Sequence, residues 1–278
     1  MPGSSESRLA AVLQSFPSVL VGYSGGVDST LLAVMARRTL GRERVLAVIG
    51  ASASIPESQR AMARDLAVRF DVAVEEVGTR ELDDADYVAN RPDRCYFCKR
   101  ELWTRLSDLA RRRGYAVVAD GTNADDLGDH RPGLAAAVEY QVRSPLAEAG
   151  LTKADVRALA HALEIPIWDA PAAPCLSSRI LYGLSVTPER LEQVERGEAI
   201  LRAAGVRGDL RVRHRGDEAR IEVDRAELEQ VRARAADIGA RLLELGFTRV
   251  TLDRRGYRRG SLLAAGDPPD VELLAIRA

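Results

Sequence analysis

The run VGYSGGVDST, residues 21–30, puts two glycines, two serines and one acid where an apolar stretch gives way to a helical pattern. A strand-to-helix junction of that kind lies at the carboxyl end of a strand, where open α/β sheets bind their ligands. Gly25 and Gly26 carry no Cβ, so the backbone there can take φ > 0 and approach a ligand closely. Ser24 and Ser29 add hydroxyls, and the helix opening near Val27 offers unpaired N–H groups and the positive end of its dipole. Ser24, Gly25, Gly26, Val27, Asp28 and Ser29 therefore form a cradle for phosphate. Neither the G-x-x-x-x-G-K-S/T loop nor G-x-G-x-x-G is present here. Asp28 would repel phosphate unless a cation lay between, and a magnesium ion bridging its carboxylate to phosphate oxygens removes the conflict.

Sulfur chemistry is the second possibility. Cys95-x-x-Cys98 is followed directly by Lys99, and the remaining thiol, Cys175, stands in the Pro- and Ser-rich stretch DAPAAPCLSSRI, residues 169–180. An odd number of cysteines argues against a disulfide framework. There is no second CxxC, and His130, His161 and His214 do not fall at zinc-finger spacing, which disfavours a closed structural zinc site. A thioredoxin-type pair would follow a strand directly, and this one does not. Three thiolates can hold three irons of a [4Fe–4S] cluster and leave the fourth open to an outside ligand. Three unrelated cysteines is the alternative.

These residues need elements to position them. Short β-branched runs at 18–23, 44–50, 71–78 and 115–119 predict buried strands. Helical patterns lie between them: 28–39 closed by Gly41, 56–69 opened by Pro56, and 94–113 closed by Gly114. The alternation predicts a Rossmann-like, doubly wound parallel sheet with right-handed crossovers. DGTNADD, residues 120–126, follows the fourth strand and so faces the same crevice as the loop. Ser54, Gly121 and Asn123 are assigned with the loop to nucleotide binding. LTKADVRALAHALEIP reads as one more helix, capped by Thr152 and Asp155.

The texture changes near Pro171, which divides a nucleotide-binding domain, 1–170, from a smaller α+β domain, 171–278. In the latter, a helix runs from Pro188 to about Ala204, with Thr187 as its cap. Two alternating strands fill 210–223 around Arg215-Gly216-Asp217-Glu218. A long helix at about 225–245 and strands at 247–252 and near 257–263 complete a β-β-α-β-β unit. Ahead of the first strand the chain reads as a short flexible N-terminus.

The 278 residues are 46% hydrophobic and 29% charged, ordinary values for a globular protein, with room for a sizeable core. A net charge of −1 provides no basic field to recruit nucleic acid, and none is expected as a partner. No apolar run has the length of a membrane span and the N-terminus lacks the pattern of a signal peptide, so a cytoplasmic location is expected. Lys99 and Lys153 are the chain's two lysines among 40 basic residues, which sets both apart.

SGGVDS resembles the pyrophosphate loop of the ATP pyrophosphatase family, whose members split ATP into AMP and pyrophosphate. Read with NRPDRCYFCKREL, DGTNADDLGDHRPG, SPLAEAGLTKADVR, PIWDAPAAPCLSSRI, RVRHRGDEARIEV and TLDRRGYRRGS, the chain from about residue 20 to 261 is similar to the LarE family. That resemblance implies ATP-dependent conversion of the carboxylates of pyridinium-3,5-biscarboxylic acid mononucleotide into thiocarboxylates, a step toward the nickel-pincer nucleotide cofactor. It implies ATP and Mg²⁺ at the loop, and Cys175 as the site of sulfur delivery. In one branch of the family that single cysteine is sacrificed. In another, three cysteines bind a [4Fe–4S] cluster carrying an extra sulfide, and Cys95, Cys98 and Cys175 match this second branch. Arg179 would steady the adenylate or the substrate carboxylate, and Arg211 and Arg213 would clamp the mononucleotide phosphate, with Lys99 also on the substrate side. A solvated Arg-rich surface is the plain alternative for Arg211 and Arg213. Glu222 and Asp253 are candidates for a second cation. Sulfide or a sulfur-donor protein is the expected partner, and a homo-oligomer the expected assembly. The rivals are a tRNA thiolase, kept open by the run from Arg254 to Arg259, an amidating ligase of the NAD synthetase type, and a non-catalytic adenine-nucleotide sensor.

Overall fold

Four short apolar runs become the strands β1 (Val19–Gly22), β2 (Val45–Ala51), β3 (Val74–Gly78) and β4 (Val117–Ala119). They lie in the order β3-β2-β1-β4, and each neighbouring pair is parallel. This computed structural model describes residues 4–128, 132–171, 174–258 and 270–277. Side-chain alternation decides what each strand buries. Val19 and Val21 of β1 join Ala47 and Ile49 of β2 in one core with Leu31, Leu32 and Val34. Leu20, Leu46 and Val48 point the opposite way, against Trp103 and Leu106. Both faces of the sheet are thus covered, as a parallel sheet requires.

The helices that cover it follow the predicted alternation. α1 (Ser5–Gln14) precedes β1, α2 (Val27–Leu40) follows it, and α3 (Glu57–Arg69) leads to β3. α5 (Arg94–Arg113) leads to β4, and α6 (Pro132–Glu139), α7 (Pro145–Glu148) and α8 (Lys153–Ala162) come after; the short α4 (Ala85–Val88), ahead of α5 in the chain, belongs to the second of the chain's two units. α1 stands where a flexible terminus was expected: Ser4 caps it by accepting from the Ser7 N–H, and Leu9 and Leu13 are buried in the first core. α8 opens with a complete capping box, in which Thr152 and Asp155 satisfy each other's backbone N–H.

The chain divides into two units, Met1–Asp84 with Asp93–Ala173, and Ala85–Pro92 with Pro174–Ala278. The second unit contains α9 (Pro188–Ala203) and the strands β5 (Leu210–Arg215), β6 (Glu218–Val223), β7 (Arg249–Asp253) and β8 (Val271–Ile276), in the order β5-β6-β7-β8. β5 and β6 form an antiparallel hairpin whose turn places Gly216 at φ 83°, a conformation that favours glycine. β6 and β7 are parallel, and β7 and β8 antiparallel. The long helix expected over 225–245 is interrupted: a turn at Arg225–Glu227 is followed by α10 (Leu228–Ala233) and α11 (Ala235–Glu244), with a break at Arg234. Of the strand expected near 257–263, residues 257 and 258 are irregular, and 259–263 lie outside the described residues. Val212, Ile221, Val231, Ile238, Leu242, Phe247 and Val250 fill this unit's core.

Candidate active site

The run Ser24–Ser29 leaves the carboxyl end of β1 and enters α2, with Gly26 at the N-cap position. Gly25 sits at φ 72°, and a Cβ there would fall 2.6 Å from the Cβ of Ala63 on α3, so both backbone angle and space demand glycine. The Ser24 and Ser29 hydroxyls are 3.1 Å apart; Ser29 also accepts from the Ser24 N–H at 3.2 Å and donates to the Gly26 carbonyl at 3.1 Å. Gln59 of α3 holds the Ser24 carbonyl from outside, at 3.1 Å. These bonds turn the loop around the start of α2, where Gly26 supplies no side-chain cap. That leaves helix N–H groups for a ligand.

Residues after β4 close one side of the loop. A Cβ on Gly121 would lie 2.8 Å from the Ser29 nitrogen, so the two backbones touch. Asn123 is buried and donates from Nδ2 to Asp28 Oδ1 at 3.1 Å. The other carboxylate oxygen, Oδ2, is paired with the ammonium of Lys153, the first residue of α8. Ser54 is buried beyond β2, where its N–H donates to the Ser52 hydroxyl at 2.9 Å. The sequence singled out Lys153 only for its rarity. Its partnership with Asp28 joins residues far apart in the chain and is invisible to local pattern. Asp28, beside the helix N–H groups, is the residue that would hold Mg²⁺ in exchange for Lys153, since Mg²⁺ binds through one or two carboxylates once phosphates complete its shell.

The second unit arranges its own polar groups around Cys175. Cys175 stands at the start of the turn Leu176–Arg179, without a capping bond from its side chain. Arg179 is 4% exposed, and its Nε and Nη2 grip Glu198 of α9 at 2.8 and 3.1 Å. Its Nη1 donates to the carbonyls of Pro174 and of Cys175. Arg179 thus fixes the backbone that carries the thiol. Arg213 is also buried, paired with Glu222 at 2.9 Å and donating to the Ser178 carbonyl at 3.1 Å. Arg211 differs. It is 6% exposed, donates to the Leu210 carbonyl at 2.5 Å and lies over the Tyr257 ring at 4.8 Å, with no carboxylate partner among the described residues. Burial, and then the nearby charge of Arg179, push its pKa below the usual guanidinium range.

Other expected residues have different neighbours. Cys95 and Cys98 lie on the first turns of α5, on one helical face, and no disulfide joins any of the three cysteines. Lys99 rests its ammonium 5.0 Å from the ring centre of the buried Trp103. Glu222 faces Arg213, while Asp253 lies within 3.6 Å of Arg255 and 3.8 Å of Arg258, so each acid already faces a cation. Among the described residues no group of three His, Cys, Asp or Glu is placed to hold a metal ion. Arg254 pairs with Asp270, and Tyr257 faces Arg211, so the described part of the Arg-rich run is engaged within the fold.

The parallel sheet with a Gly-rich, Asp-containing loop at the end of β1 defines a PP-loop protein, and a model of the NAD synthase family matches residues 9–106. The chain is 37% identical over 257 residues to the pyridinium-3,5-bisthiocarboxylic acid mononucleotide synthase of Lactiplantibacillus plantarum, covering 92% of this chain and 93% of that one. An uncharacterised protein of Synechocystis is 42% identical over 262 residues, covering 92% and 97%. One of Methanocaldococcus jannaschii is 31% identical over 206 residues, covering 74% and 77%. The chain belongs to the LarE family and is an ATP-using enzyme. Its loop type implies ATP together with Mg²⁺. Among the described residues no helix is long and apolar enough to cross a membrane.

Proposed function

We propose that this enzyme adenylates the carboxylates of pyridinium-3,5-biscarboxylic acid mononucleotide and exchanges the activated oxygen for sulfur. What carries the reading is an acid-bearing phosphate loop on a chain matched almost end to end by the L. plantarum synthase. A carboxylate is a poor electrophile, because its leaving group would be oxide. When it attacks the α-phosphorus of ATP, pyrophosphate leaves and an acyl-adenylate forms. Sulfur then attacks the acyl carbon, and AMP departs to leave a thiocarboxylate. N–H groups and hydroxyls of Ser24–Ser29, with Mg²⁺ on Asp28, would spread the charge of departing pyrophosphate. The guanidinium of Arg211, buried and without a carboxylate partner among the described residues, suits the phosphate of the mononucleotide.

The sulfur is assigned to a [4Fe–4S] cluster on Cys95, Cys98 and Cys175. Three thiols outside any disulfide fit such a cluster in kind. When bound, the cluster supplies an iron with an open position for a replaceable sulfide, drawn from sulfide or a sulfur-donor protein. In a second reading Cys175 surrenders its own sulfur; what favours it is that Cys175 is a free, partly open thiol.

Anaerobic reconstitution with iron and sulfide assays, pyrophosphate release and intact mass tests both. The expected result is about four irons per chain, lost when any one cysteine becomes alanine. Pyrophosphate release should require the carboxylated mononucleotide and disappear in Asp28→Asn. Iron-free protein that works once and then weighs less by the elements of H₂S at residue 175 overturns the cluster assignment. Undiminished release by Asp28→Asn overturns the role of the loop.

A further inference from the structure

Residues 85–92 belong to the second unit although the chain on both sides of them belongs to the first. What these eight residues contribute is specific. Val88 accepts from the Val186 N–H at 2.9 Å, and the Asn90 carbonyl accepts from the Gly183 N–H at 3.2 Å. Asn90 is fully buried, with φ 52°, and its Nδ2 reaches the carbonyls of Ile180, Leu181 and Leu184 at 3.3, 2.9 and 2.8 Å. The left-handed backbone there is one that asparagine tolerates better than most residues. The excursion therefore clamps the stretch that leaves the Cys175 turn.

Tyr87, on α4 of the same excursion, reaches the turn itself. Its hydroxyl lies 3.0 Å from the Ser177 hydroxyl, and Ser177 donates to Cys175 Sγ at 3.3 Å. Tyr87 and Ser177 are each 1% exposed, whereas Cys175 is partly open. A hydroxyl has one proton to give. Ser177 gives its proton to sulfur, so in this pair the Tyr87 O–H must be the donor and the Ser177 oxygen the acceptor. The order Tyr87 to Ser177 to Cys175 follows. The backbone under the sulfur is held separately, by Arg179 from one side and by the Ser178 hydroxyl, which donates to the Cys175 carbonyl at 2.7 Å.

We propose that Tyr87 and Ser177 are positioning residues that aim the Cys175 sulfur, through a directed hydrogen-bond relay carried into the second unit by residues 85–92. The proposal rests on the reading in which Cys175 takes part in sulfur delivery. It holds whether Cys175 binds the cluster or gives up its own sulfur, because in either case the direction of Sγ decides where sulfur is presented. A buried pair of hydroxyls that merely satisfied each other would not need its last proton to point at a thiol.

The test is the amount of thiocarboxylate formed per pyrophosphate released, in the full chain with Mg-ATP and the carboxylated mononucleotide. Ser177→Ala should lower this ratio about fivefold to tenfold, the worth of one net hydrogen bond, while pyrophosphate release continues. Tyr87→Phe should lower it less, and Ser177→Thr, which keeps the hydroxyl, should restore it. In crystals of the metal-free full-length protein, Ser177→Ala should spread Cys175 Sγ over more than one rotamer, where the unaltered chain has one. An unchanged ratio in both Ser177→Ala and Tyr87→Phe overturns the relay. So does a Ser177→Thr variant as impaired as Ser177→Ala, or a single unshifted Sγ rotamer in Ser177→Ala. If the unaltered enzyme releases no pyrophosphate with this substrate, the adenylation reading fails instead, and the rotamer comparison still decides the relay.

Discussion

Three arginines with the same charge do three different things in the second unit, and their partners say which. Arg179 and Arg213 are saturated by Glu198, Glu222 and backbone carbonyls, whereas Arg211 has one carbonyl and the face of an aromatic ring. The sequence treated Arg211 and Arg213 alike, as alternate residues of one strand; the structure separates them. Arg211→Ala should raise the KM for the mononucleotide about tenfold to a hundredfold and leave that for ATP nearly unchanged, since a charge-assisted contact is worth roughly 1.5–3 kcal/mol. Steady-state kinetics with each substrate varied in turn decides it. Arg213→Ala should act on stability, because it breaks a buried ion pair with Glu222, at a cost of about 3–5 kcal/mol in chemical denaturation. Equal kinetic effects of the two changes would return both to the substrate. Lys153 was legible only as one of two lysines in an Arg-rich chain, and its link to Asp28 needed the fold.

At the scale of elements, the segment after β4 illustrates what topology alone could predict. A run following a strand of a parallel sheet must emerge on the same side as the loop after β1, and Gly121 and Asn123 do so. How close they come was not predictable. The missing side chain of Gly121 lets its backbone rest against the first turn of α2. Gly121→Ala should therefore displace that turn, destabilise the chain by about 1–3 kcal/mol and weaken binding of a non-hydrolysable ATP analogue, read by calorimetry. Unaltered affinity would mean that the turn plays no part in holding nucleotide. Capping and stop signals marked helix ends well: Thr152 with Asp155 opens α8, and Gly114 ends α5 at φ 75°. α1 was missed because its apolar stripe is short, and Leu9 and Leu13 become core only when α2 lies against them.

At the scale of the whole molecule, one contribution to stability in mild acid comes from a buried residue of the second unit. His214 is 2% exposed, packs on Phe247, and places Nε2 2.8 Å from the Gln193 side-chain oxygen. Burial, with a smaller contribution from the charge of Arg190, pushes its pKa down from 6.5 to about 4. The unfolded chain takes up this proton near pH 6.5, while the folded chain resists it until about 4. The stability that neutral His214 permits is therefore complete above pH 6.5 and is lost as the pH falls toward 4, by about 3 kcal/mol over the window. Urea midpoints at pH 7.5, 5.5 and 4.5 should fall accordingly, and His214→Gln should flatten the trend. An equally steep fall in that variant would assign the sensitivity to other groups.

The sequence by itself determined the parallel sheet, the loop Ser24–Ser29 and the α+β character of the second unit. Each is written in local pattern: β-branched runs, glycine spacing, caps and a two-residue hairpin turn. The family, too, was carried by short ordered motifs spread along the chain. Only the tertiary structure decided that Lys153 pairs with Asp28, that Arg179 holds the Cys175 backbone while Arg211 lies over the Tyr257 ring, and that Tyr87 reaches Ser177 across a long separation in sequence. Those are matters of which side chains meet, and a charge or a hydroxyl acquires its role from the partner that burial gives it. Residue type announces what a group can do, and packing selects which of those things it does.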